Sequence, residues 1–425
     1  MAAPAGIARR NVPPGKVDAA TQRAVSELGS TRPLRECLAW IHRSRHWINE
    51  QQLEVCRVPA PTFLEEKRAA WMCGQLQRMG WDARVDRAGN VVALESPGRE
   101  GPLVALTAHL DTVLAPRRPE DIRVDGDGRF RGPGVADNGA GLAGLMAMAG
   151  AWKASRPAAG NTASLLLVAN VCEEGEGNLS GMRYLCRQSP LAPRIRSFLV
   201  LDGPSTDHIT CQALASRRFE VAMTGPGGHS WSDHGNGNTV HALSRAIHFF
   251  SEGRHHAFGH SLARSSFNFG TVEGGVSVNS IPSVARAKLD IRSEDPYQME
   301  EMAQCLQIAV ERAVEVENER ATGGRVQWKI REIGSRPGGA LAEDSTLMRV
   351  LRGVDGHLGI RAHLDCASTD ANIPLSMGLE AVSIGAGGYG AGAHTPEEWF
   401  DPAGRELGLH RILLTLCLML DAAAA

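Results

Sequence analysis

Residues 164–177 read SLLLVANVCEEGEG, an apolar run that stops at two adjacent carboxylates, Glu173 and Glu174. Apolar residues without polar alternation mark a strand covered on both faces. The pattern recurs in both directions along the chain, at 91–95, 103–108 and 197–201. One buried, largely parallel sheet in an α/β fold is therefore expected. Polar groups follow these runs: His109 and Asp111 in LTAHLDT, and Asp202 in FLVLDGP. A later segment, SIGAGGYGAGAHTPEE, brings His394. In an open α/β sheet, side chains just past the carboxyl ends of strands share one crevice, so these distant residues can meet there. Asp137, in the Gly-rich turn GPGVADNGAGLAG that leads into a predicted helix, can join them.

Between these apolar segments the pattern changes. From about Ser216 it runs strand 219–224, helix 239–251, strand 265–272, strand 284–292, helix 297–320 and strand 325–330. That order is the split βαβ, ferredoxin-like unit. It is expected as an inserted domain at 215–332, dividing a catalytic domain into 31–214 and 333–425, with residues 1–30 as a loose tail. Thr62 and Glu65 have the spacing of a capping box, so a helix is predicted over 63–79.

The chain has 425 residues, with 45 Lys+Arg against 47 Asp+Glu. Its net charge of −2 gives no electrostatic case for a nucleic-acid partner. A hydrophobic fraction of 43% and a charged fraction of 22% exclude a disordered or fibrous chain. The longest uncharged apolar runs, 164–172 and 412–420, are about half of the roughly 20 residues a bilayer-spanning helix needs, so no membrane partner is expected. Arg9-Arg10 is not followed by the apolar stretch of an export signal. Nine cysteines without a Cys-x-x-Cys pair fit reduced thiols and a cytoplasmic location.

Two imidazoles with several carboxylates and no thiolate suit divalent zinc, cobalt or manganese. Carboxylates gathered without a cation would repel one another and raise their own pKa values, whereas two divalent ions neutralise them. A carboxylate such as Asp137 bridging the pair leaves room for one hydroxide between the ions, the arrangement used for hydrolysis. Glu173, adjacent to a ligand, is the candidate general base.

These motifs, with PAPTFLEEKRAA, ANVCEEGEGNLSGMRYL, GPGGHSW, SVNSIPSVARAKLDIR and AHTPEEW, stand in an order that resembles the M20 group of co-catalytic metallopeptidases over nearly the whole chain. The resemblance implies a zinc-exopeptidase-like catalytic domain with a mixed, mostly parallel sheet, and a ferredoxin-like lid. It implies two divalent ions, zinc in the first instance. His109, Asp137 and Asp202 would surround one, and Asp137, Glu174 and His394 the other. Glu173 matches the base, and Asp111 the carboxylate that orients His109. In the lid, His229 matches an oxyanion-stabilising residue, often acting across a homodimer interface, and Asn279 and Arg292 match substrate-binding positions. After the bridging aspartate many members carry a further acidic residue or methionine and then Lys-Gly. Here the chain reads Asp137-Asn138-Gly139. The EEGEGNLSG and AGGYGAGAHTPEEWF segments look most like the peptidase T-like branch, which implies an aminopeptidase or dipeptidase acting on short peptides. An N-acyl-amino-acid deacylase or carboxypeptidase of the same group is the alternative, with Arg292 as the discriminating contact. A non-catalytic scaffold is a third.

Several residues have plainer readings. His229 sits in a loop where an exposed turn residue would be ordinary, and Arg292 ends an alternating strand where a charge faces solvent. Asn279 before Ser280-Ile281-Pro282 can simply shape a turn. His255, His256 and His260 read as a solvated loop, and Glu176 as a solvated turn residue. Cys172 reads as structural, because a buried thiol beside two carboxylates has a raised pKa. The run Ser368-Thr369-Asp370-Ala371-Asn372 lacks a nucleophile elbow and reads as a pocket wall or helix cap.

Overall fold

The computed structural model describes residues 19–96, 98, 100–157, 162–257 and 264–424. The chain divides into two compact units, one of residues 1–213 and 339–425, the other of residues 214–338.

The larger unit is built on a sheet of nine strands among the described residues. Its spatial order is Asp82–Val85, Val91–Leu94, Ser164–Asn170, Leu103–His109, Ile195–Leu201, Glu380–Ile384, His208–Ala213 and Gly339–Ala340, with His363–Ala367 also pairing with His208–Ala213. Leu103–His109 runs parallel to both neighbours, and Glu380–Ile384 runs parallel to Ile195–Leu201. Every residue of Leu103–His109 and Ser164–Asn170 is buried, as a run without alternation requires. The register sets His109 beside Asn170, Ala108 beside Leu201 and Ile384 beside Leu201. The residues that follow these strands therefore emerge along one edge.

The helix Gly139–Ser155 is buried from Gly139 through Trp152, which its Gly- and Ala-rich sequence allows. At Gly150 a Cβ would stand 2.1 Å from the Trp40 ring, so only glycine lets this helix approach the helix Arg32–Arg43 so closely. The helix Arg405–Ala424 is long and apolar enough to cross a bilayer, which the shorter uncharged run 412–420 does not predict. Most of it lies in the core, and its Arg411 is paired inside the protein with Asp355 at 2.6 and 2.7 Å.

Residues 19–30 correct the expectation of a loose tail. They form the helix Ala19–Ser30, with Val25 fully buried, while residues 1–18 lie outside the described part. The predicted capping box is a second correction. The helix begins at Glu66, Phe63 adopts φ +75°, and neither Thr62 nor Glu65 caps it. Both side chains turn instead towards the acidic cluster described below.

The smaller unit has the strand order Ser265–Gly274, Val284–Ser293, Ala215–Thr224 and Gln327–Arg336, all neighbours antiparallel. The helices Thr239–Ala257 and Pro296–Arg320 supply one side of its apolar core. This is the βαββαβ order read from the sequence.

Candidate metal centre

Asp137 has two carboxylate oxygens that face different partners. Oδ1 lies 3.1 Å from His109 Nε2, whose other close carboxylate is Asp202 at 3.8 Å. Oδ2 lies 3.1 Å from His394 Nε2, which is 2.8 Å from Glu174 Oε1. Each trio offers ligand atoms within 4.8 Å of one another. A third set with the same spread, His109, Glu173 and Glu174, puts Glu173 against the first imidazole. One carboxylate shared between two imidazole-carboxylate groups is the donor set two divalent ions need, and nitrogen and oxygen donors suit zinc, cobalt or manganese.

The electrostatics fit the same group. Burial opposes a charge on His109, yet Asp111, Asp137 and Asp202 hold its pKa well above the ordinary value. Asp137 and Glu174 push His394 up to about 10. Burial opposes ionisation of Asp137, but His109 and His394 lower its pKa. Protons are drawn onto both rings because the carboxylates need positive charge between them, which divalent cations would supply in place of those protons.

The segments that carry these carboxylates are held by hydrogen bonds that the sequence did not reveal. The Glu398 carboxylate accepts the amides of Gly134, Ala136 and Asp137, all at 2.8 Å. On the other side of that turn, Gln52 Nε2 donates to the Val135 carbonyl at 2.5 Å and the Cys56 thiol to the Gly134 carbonyl at 3.3 Å. The turn carrying Asp137 is thus held by both its amides and its carbonyls. Asn138, where the chain departs from the Lys-Gly pattern, is fully engaged. Its Oδ1 caps the helix at the Gly141 amide and also accepts the Gly203 amide, both at 3.1 Å, while Nδ2 donates to the Leu201 carbonyl at 2.8 Å. One side chain therefore ties the turn carrying Asp137 to the strand end carrying Asp202.

Asp111 meets His109 through both its backbone and its carboxylate. Its backbone carbonyl is the nearer partner of His109 Nδ1, at 2.9 Å, with Oδ1 at 3.7 Å. Its carboxylate also accepts the amides of Glu173 and Glu174, both at 2.9 Å, and the Thr62 hydroxyl at 2.9 Å. Glu65 accepts the Cys172 amide at 3.0 Å, where Cys172 takes the left-handed φ of +59° that turns the chain sharply before the two glutamates. Burial pushes the Cys172 thiol up to about 11, in keeping with a structural thiol. Glu176, one turn on, is exposed. Thr62 and Glu65 were visible only as a helix-capping pattern. Nothing in local spacing distinguishes a capping carboxylate from one that folds back onto a strand end.

In the smaller unit, His229 pairs with Ser280 in a two-residue ladder and is exposed. Its Nδ1 accepts the amides of Trp231 and Ser232, at 3.2 and 3.5 Å, which assigns the neutral ring's proton to Nε2. Asn279 accepts the Ser277 hydroxyl at 2.6 Å and offers its carbonyl to the Ser230 amide. Arg292 donates to Asp290 at 2.8 Å. Val284, pairing with Thr224, marks the end of the sheet near His229 and Asn279, while Arg292 pairs with Ser216 at the other. At roughly 3.4 Å per residue the two ends are about 27 Å apart within one chain. The side chains of His255 and His256, and all of His260, lie outside the described part.

Residues 105–416 match the family model for Peptidase family M20/M25/M40. The chain belongs to that family. It is a metallohydrolase acting on peptide or amide bonds. Among curated members of similar sequence, a putative [LysW]-lysine/[LysW]-ornithine hydrolase of Pyrobaculum aerophilum is 26% identical over 61% of this chain and 70% of its own length. A solved tripeptidase of Staphylococcus aureus superposes with a TM-score of 0.71 at 18% identity, covering 89% of this chain and 99% of that one. The dipeptidase Dug1p of Saccharomyces cerevisiae gives 0.70 at 12% identity, covering 91% and 98%. At such identities the likeness to these M20 structures is one of fold.

Proposed function

We propose that this M20 hydrolase is a dinuclear exopeptidase of short peptides, with His109, Asp137 and Asp202 holding one ion and Asp137, Glu174 and His394 the other. The carrying observation is that the two oxygens of Asp137 face two separate imidazoles, each with its own further carboxylate. When bound, two such ions polarise a scissile carbonyl and lower the pKa of a water to about 7. Glu173 takes a proton from the attacking water and returns it to the leaving amine. The Asp111 clamp on the Glu173 amide supports that role by fixing where its side chain starts. His229, donating through Nε2, stabilises the oxyanion. Its separation from Arg292 along the sheet supports a homodimer joined through a lid formed by residues 215–332. No short peptide spans about 27 Å, so if both residues touch one substrate they come from different copies. Nine cysteines, all free, support a reducing, cytoplasmic compartment.

The names of the curated relatives favour a second reading, a hydrolase releasing an amino acid from a larger acyl donor. The test is hydrolysis by metal-loaded protein of a panel of free, N-blocked and C-blocked di- and tripeptides and N-acyl amino acids, with Glu173→Ala as control. A requirement for a free amine supports the aminopeptidase. Cleavage that tolerates a blocked amine and needs a free carboxylate supports the second reading. Failure to cleave any member by protein carrying two ions refutes both.

A further inference from the structure

In the larger unit, a cavity of ≈ 430 Å³ opens between the helix Arg45–Arg57 and the start of the helix Arg405–Ala424. Arg405 lines it and is 6% exposed. Its guanidinium donates to Asn49 Oδ1 at 2.7 Å and to Gln52 Oε1, both neutral amides, and stacks over Phe400 at 4.5 Å. Among the described residues no carboxylate lies within ion-pair distance of it. Burial pushes its pKa down to about 9, offset in part by the Cys56 thiol. A buried cation without an anion is unfavourable unless something supplies the charge. Arg45 adds positive charge at the cavity. The one acid lining it, Glu406, is engaged by His42 Nδ1 at 3.0 Å. The remaining wall includes Ile48 and Leu409 and is apolar.

We propose that this cavity binds a small carboxylate carrying an apolar body, its charge on Arg405 and Arg45 and its body against Ile48 and Leu409. The volume is that of a metabolite-sized site. A guanidinium receives a carboxylate in two-point geometry, for which two neutral amides are poor substitutes. The site is separate from the metal centre but not unrelated to it, because the Gln52 carboxamide accepts from Arg405 through Oε1 and donates through Nε2 to the Val135 carbonyl, in the turn carrying Asp137.

The test is isothermal titration calorimetry on zinc-loaded protein with phenylacetate, its neutral isostere phenylacetamide, and inorganic phosphate. Phenylacetate is expected to bind saturably at one site and raise Tm, with phenylacetamide and phosphate each at least tenfold weaker. Ala403→Trp, at an exposed position on the cavity wall, is expected to abolish the binding. Arg45→Ala, also exposed, is expected to weaken it severalfold with the fold intact. Absence of saturable binding overturns the proposal, as does equal affinity for the amide or for phosphate. Binding that persists unchanged in Ala403→Trp also overturns it, since the ligand then sits elsewhere, the metal centre included. Because calorimetry needs no turnover, these outcomes are independent of whether the exopeptidase reading holds.

Discussion

Burial pushes the Glu398 carboxyl up to about 7, so above that pH its replacement by glutamine removes one charge from a group whose two oxygens lie 2.8 Å from three backbone amides. The glutamine carbonyl can still accept from Ala136 and Asp137, but its NH2 then faces the Gly134 amide, donor against donor. A buried donor left unsatisfied costs about 1–3 kcal/mol. The two remaining hydrogen bonds lose their charge assistance, roughly half their strength. Together these weaken the support of the turn carrying Asp137 by about 2–5 kcal/mol. The other clamps, Gln52 and Cys56, act on carbonyls and cannot replace it. Loss of such an outer support typically lowers metal affinity or activity by about 10–100-fold. Zinc affinity measured by competition with a chromophoric chelator should fall by that amount in Glu398→Gln, with part of kcat/KM restored at saturating metal. Zinc affinity within twofold of wild type, in a variant whose circular dichroism is unchanged, would show that Asp137 does not depend on Glu398.

Burial pushes the Asp370 carboxyl up to about 7, against a lowering contribution from His109. A raised carboxyl favours the folded state below the unfolded value near pH 4 and loses that contribution as pH rises through about 7. In chelator-treated protein, urea unfolding should show wild type losing stability relative to Asp370→Asn between pH 5 and 8, by no more than about 4 kcal/mol; parallel pH profiles would refute it. Arg411→Leu leaves Asp355 buried without its bidentate partner and should cost about 3–5 kcal/mol in the same assay. A change under 1 kcal/mol would mean that the pair contributes little to anchoring the last helix. Thr62→Val removes the hydroxyl from Asp111 and should lower kcat about tenfold while leaving Tm within a few degrees. If KM alone changes, Thr62 belongs to substrate binding rather than to aiming the glutamates.

What local pattern determined was which residues point inward and where strands end. SLLLVAN and LVALTAH are legible as buried parallel strands because a sheet covered on both faces leaves no polar alternation. The polar residues after them are legible as candidates because burial makes their cost unusual. The order of elements in the smaller unit was legible for the same reason, since hydrophobic period changes from strand to helix and back. Tertiary structure alone decided how the candidates are held. Glu65 reads as a helix cap and in fact receives the Cys172 amide, 107 residues away. Glu398 carries no signal of its own in the sequence and in fact fixes the turn of Asp137, 261 residues earlier in the chain. The Asp111 carboxylate reads as a partner of its neighbour His109 and in fact also receives the amides of two glutamates, 62 and 63 residues away. Periodicity records which face of an element is dry. A hydrogen bond between a carboxylate and a distant amide leaves no mark on either segment's spacing, so it exists only once the register of the sheet has brought the strand ends together.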